Sequence, residues 1–295
     1  MNFNRNDGVT NPSRHEQSRL DEDMVILLLQ VPRTNDKKEL AAEQMFAALH
    51  GLLTLPPQRR FRGAHRVRIS FEIAVLAKRI GFYVCVPRYL KDFVEEQIYA
   101  QYPNVQISEV EDFSSEGAGA PAELLSAELR LSNHQALPIK TFQSFEVDPL
   151  AAITATLAKF EEGEEAWIQL VMQPASKNWH KASERYVDSL RGGTSGSMPG
   201  AVLKALAGPP EQGKPQAPKL TEYDQARASG AEDKSHKLAF ETNLRIIYRG
   251  NVSAHQASLR IQSIIASYKQ FNTTYLNGFV AKRIINDPFL VAAYR

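Results

Sequence analysis

Gly208, Gly213 and Lys214 have the spacing of a phosphate-binding loop within the stretch "LAGPPEQGKPQAP": a glycine, four residues, then Gly-Lys. That chemistry needs backbone N–H groups turned inward on the phosphates, a lysine reaching them, and a hydroxyl on magnesium. Pro215 stands at the hydroxyl position, and Pro209 and Pro210 have no amide to donate. The flanks supply neither the buried strand nor the helix start that such a loop joins. The spacing is read as an accident of a Gly/Pro-rich linker. The chain is expected neither to bind nor to hydrolyse ATP, and no cofactor is assigned.

Other reactive side chains are sparse. His180 and Glu184 lie four apart in the polar stretch "KNWHKASERYVDSL", a spacing that sets two ligands on one helical face. No third ligand stands near them, so a solvated helix face explains the pair. The single cysteine, Cys85, excludes an internal disulfide and any cysteine-based zinc site. It alternates with Tyr83 in a strand pattern, as a small buried hydrophobe would. No serine occupies a nucleophile-elbow context. The sequence offers no catalytic and no metal residues.

Two stretches bear on nucleic acid. "RIGFYVCV" occupies the strand where RNA-recognition domains carry spaced aromatics for base stacking. Here Phe82 and Tyr83 are adjacent and point to opposite faces, which favours core packing. "RRFRGAHRVR" places Arg59, Arg60, Arg62, Arg66 and Arg68 together without an acid among them. Such a cluster could contact a phosphate backbone. A solvated loop leading into an edge strand would use the same charge to block unwanted pairing.

These residues must be held by elements, and the hydrophobic periodicity places most of them. "MVILLLQV" is a short apolar run, a buried strand ended by Pro32. A helix follows from a capping-box-like Asp36 and Glu39, then alternation in "VRISFEIAVL", a second strand "GFYVCV", a helix opened by Pro87, and a last strand "NVQISEV". The order is β-α-β-β-α-β, that of a ferredoxin-like unit. The second half reads the same way: "ALPIKTF" as strand, a helix capped by Asp148 with Pro149 at N1, and "AWIQLVMQP" as strand. After an insertion come "KLAFETNLRIIYRG" as strand, a helix with Ser253 and Gln256 as capping box, and "YLNGFVAKRI".

The expected architecture is α+β, two tandem ferredoxin-like units with the second interrupted by a helix plus flexible linker. Residues 1–22 read as a disordered leader, 23–115 as unit 1, and 116–173 with 236–295 as unit 2. Residues 174–235 read as the inserted helix and Gly/Pro-rich linker. A chain of 295 residues with 43% hydrophobic and 23% charged residues has enough apolar content for such cores. Its net charge of +2 does not by itself argue for nucleic acid. The longest apolar run is far short of the roughly 20 residues that span a bilayer, and the single cysteine makes a reducing, cytoplasmic location the expectation.

Four stretches carry a family resemblance: "AEQMFAALHGL", "ISFEIAVLAKRIGFYVCVPRYLKDFVEEQIYAQYPNVQISEVEDF", "DPLAAITATLAKFEEGEEAWIQLVMQP", and "FETNLRIIYRG" with "LNGFVAKRI". They resemble the amino-terminal, pre-ATPase region of bacterial conjugative type IV secretion coupling-type ATPases, from about Met24 to Ile284. The resemblance implies a non-catalytic accessory region of a DNA-translocating machine, used for assembly, docking or substrate placement. It implies protein partners, possible DNA contact and oligomerisation, and a place at the inner face of the membrane reached through partners. In that family the ATPase core follows this region, and here the sequence stops at "DPFLVAAYR" where it would begin. The alternative is a nucleic-acid-binding module of ferredoxin-like fold.

Overall fold

The computed structural model describes residues 23–32, 39–54, 67–114, 123–176, 178–191 and 221–286. The first half runs Met24–Gln30 (β1), Glu39–Thr54 (α1), Ile69–Leu76 (β2), Arg79–Pro87 (β3), Lys91–Gln101 (α2) and Gln106–Val110 (β4). The second runs Glu123–Leu131 (β5), Pro149–Leu157 (α3), Glu164–Pro174 (β6), Trp179–Leu190 (α4), Glu222–Ser235 (α5), Phe240–Gly250 (β7), Ala254–Ser267 (α6) and Phe279–Ala281 (β8). The fold is α+β. All eight strands form one antiparallel sheet in the order β4-β1-β3-β2-β6-β7-β5-β8. β2 and β6 join the halves edge to edge, from Ile69 opposite Met172 to Val75 opposite Ala166.

Strand alternation sorts the core into two faces. Val25, Leu27, Val84, Val86 and Ile69 point to the side where Met45 and Leu49 of α1 and Val94 and Ile98 of α2 pack. Val75, Ala166, Ile168, Ile246 and Tyr248 continue that side under Ile153 and Leu157 of α3 and Ala257, Ile261 and Ile264 of α6. The other face carries Ile26, Ala74, Tyr83, Cys85, Trp167 and Ile247, with Phe113 laid against it.

Local signals fix several boundaries. Asp148 accepts from Leu150 N at 2.8 Å with Pro149 at N1, and Ser253 with Gln256 forms the capping box of α6. β2 and β3 meet through Ala77 and Lys78, both at positive φ (47° and 62°), the twist that a two-residue hairpin requires. Asp36 lies outside the described residues.

Three expectations are corrected. The first strand of the second half is Glu123–Leu131, not "ALPIKTF"; Ala136 and Leu137 are buried, but in a loop. Leu, Ala and Glu in "ELLSAELRL" favour helix, yet pairing to β7 and β8 on both edges imposes the strand. The linker does not extend to Ser235: residues 222–235 form α5, capped by Thr221, whose side chain accepts from Asp224 N. The closing strand is three residues, Phe279–Ala281, rather than the whole of "YLNGFVAKRI".

Candidate functional site

Of the arginine cluster, Arg59, Arg60, Arg62 and Arg66 lie outside the described residues, and Arg68 is exposed just before β2. The Gly208–Lys214 stretch is also outside them. His180 and Glu184 occupy successive turns of α4 and both face solvent. Among the described residues no three His, Cys, Asp or Glu side chains are grouped to hold a metal ion. Cys85 is buried in β3. Tyr83 packs on Phe113 with ring centroids 5.0 Å apart, and Phe113 meets Trp167 at 6.1 Å. That ring is spent in the core rather than offered as a stacking platform.

Two buried carboxylates are internal ties. Glu72 on β2 accepts from Ser70 Oγ at 2.6 Å and from Gln169 Nε2 of β6 at 3.1 Å, directly across the join of the halves. Glu164, at the start of β6, accepts from Tyr248 Oη (2.9 Å), Arg260 Nε and Nη2 (2.9 and 2.7 Å) and Glu161 N (2.8 Å). Burial works against its charge, but Arg260, the Glu161 amide and Tyr248 outweigh it and hold the carboxyl below its ordinary value. Burial, then the bond to Glu164, pushes the Tyr248 phenol far up. These groups clamp α6 to the sheet.

The reactive side chains that the fold brings together, but the sequence does not, lie where α4 and α5 dock on the loop after β5. Asn277 builds the base. Fully buried, it accepts from Asn133 N at 2.9 Å and donates to the carbonyls of His134 (3.0 Å) and Leu137 (3.1 Å). On that base His134 stacks flat against Tyr186 of α4, centroids 4.2 Å apart and planes within 4°. Arg227 of α5 lies 5.9 Å over Tyr186 and 5.1 Å over Tyr223, and Tyr223 meets Tyr275 edge to face. Lys234 Nζ, about two turns further along the same side of α5, donates to Gln135 O (2.7 Å) and Leu137 O (3.4 Å). Burial lowers its pKa.

His134 Nδ1 accepts the Ala136 amide at 3.2 Å, so this nitrogen carries no proton. Desolvation, then Lys234 and Arg227, lower the imidazole pKa. Burial raises that of the Tyr186 phenol. Among the described residues Arg227 Nε and Trp179 Nε1 are buried along the same seam without hydrogen-bond partners. Only the Tyr223–Arg227 spacing was visible locally; His134 and Lys234 are 100 residues apart in sequence.

A profile described as a domain of unknown function, DUF8128, matches residues 10–285. No curated protein matches. A crystal structure described as a candidate chlorite dismutase aligns over 92% of this chain and 97% of its own, at 8% identity and a TM-score of 0.18. A score that low carries no argument.

Proposed function

The chain belongs to the DUF8128 family, a family of unknown function, and on the resemblance of the quoted stretches alone we propose that it is a non-catalytic accessory region of a conjugative, type IV secretion DNA-translocating ATPase. Its task in this reading is assembly, docking or placement of substrate, with protein partners and at the inner face of the membrane. The observation that carries the reading is the resemblance of the quoted stretches, which between them span α1 to β8. The strand order supports it as a scaffold. Each half, numbered from its own first strand, runs 4-1-3-2 from the outer edge inward, so we read two ferredoxin-like units in tandem, joined at their second strands. No helix among the described residues is long and apolar enough to cross a membrane, and attachment through partners is compatible with that.

The test is genetic. In-frame removal of residues 24–284 in a DNA-donating host should lower transfer of the mobile element while growth is unchanged, and expression of the intact chain should restore it. Unaltered transfer after the deletion overturns the proposal.

A further inference from the structure

We propose that the α4–α5 pair is a pH-released arm, held against the loop after β5 only while the His134 ring is uncharged. The geometry makes the demand. His134 Nδ1 is an acceptor for the Ala136 amide, and a proton there would set two N–H groups against each other. The stacked ring also faces two fixed cations, Arg227 and Lys234, both on α5.

Among the described residues no carboxylate acts on His134 to offset the added charge. Of the acids on α5, Asp224 accepts from the Thr221 hydroxyl, Glu232 pairs with Arg191 at 2.6 Å, and Glu222 and Asp233 face solvent. On α4, Lys181, Glu184, Arg185 and Asp188 are exposed, and Tyr186 is the titratable group on the ring. From the loop after α6, Tyr275 packs on Tyr223.

The remainder of the seam is a small apolar cluster and a few polar ties, Lys234 Nζ to the Gln135 and Leu137 carbonyls, Ser183 Oγ to the Ala231 carbonyl and Arg191 to Glu232. Its apolar part is Ala136, Leu137, Val187, Ala228 and Ala231, with Tyr186, Leu190 and Leu276 partly buried against them. Among the described residues Trp179 Nε1 and Arg227 Nε are buried in it without a hydrogen-bond partner, whereas opening would return them to water.

The sign follows from linkage. A histidine whose pKa is lower when docked binds more protons when released, so docking strengthens as pH rises. Docking is complete above the ordinary imidazole value of about 6.5 and weakens as pH falls from there toward the docked value.

Hydrogen exchange of the intact chain, corrected for intrinsic rates, tests this between about pH 7.5 and about pH 5. Protection of α4 and α5 should fall by up to about tenfold for each pKa unit that docking removes from His134, while β3 and β6 keep theirs. His134→Gln, which cannot take up charge in this range, should abolish that fall. Constant protection in the wild type, or the same fall in the variant, overturns the proposal. A second measurement needs no variant: the His134 ring proton in the wild type must titrate below about 6.5, and titration at or above that value overturns it equally.

Discussion

Glu164 keeps a negative charge with 3% of its surface exposed, and the donors around it explain how. Arg260 alone supplies two of its bonds, from a helix that otherwise meets the sheet through apolar contacts. Arg260→Met would leave the carboxylate buried and short of its counter-charge, which costs about 3 kcal/mol of unfolding free energy. Urea denaturation at neutral pH should show that loss. The folded-state pKa of Glu164 is depressed, so its contribution is present above the unfolded carboxylate value of about 4.3 and disappears as pH falls through the folded value. Stability measured down that limb should fall less steeply in Glu164→Gln than in the wild type. Identical acid slopes would assign the acid sensitivity to other groups.

At the level of elements, legibility tracked how local each signal was. Helix caps at Asp148 and Ser253 and the alternation in β2 and β3 are written in neighbouring residues, and the structure has them there. β5 was obscured because its residue types favour helix and its strand state depends on β7, which lies more than 100 residues away. α5 was obscured differently. It buries only Ala228 and Ala231, too little for an amphipathic pattern, and Gly230 interrupts it. The cap at Thr221 with Asp224 was the available clue. Gly230 has a reason: a Cβ there would stand 3.3 Å from Leu276 and from Pro138. Gly230→Val should therefore overpack the seam by about 1–3 kcal/mol. The expected reading is faster amide exchange in α4 and α5 with the strands unaffected; unaltered exchange would mean that the loop gives way freely. The site itself was illegible, since its members meet only after β5, α4, α5 and the loop after α6 are assembled.

For the whole molecule, the arginine stretch between α1 and β2 is the feature that bears most directly on a DNA-handling role. If Arg59, Arg60 and Arg62 meet phosphates, anisotropy titrations with single- and double-stranded DNA should weaken steeply with salt. The triple alanine variant should bind less tightly to every sequence alike and with a flatter salt slope. Superimposable curves, or no binding by either protein at low salt, would remove phosphate contact from the account. The register of β6 and β7 has a separate consequence, for the time course of folding. Pro174 and Phe240 are paired neighbours at one end of that ladder, although 65 residues separate them. β5 must likewise wait for β7, so as the chain emerges from the ribosome β1 to β4 can assemble while the edge of β2 stays open. Pairing of α4 with α5, through Ser183 Oγ and the Ala231 carbonyl and the contact of Val187 with the alanines of α5, draws the two ends of that excursion together. It shortens the loop that β6 and β7 must close, and with it the interval during which β6 lacks its second neighbour.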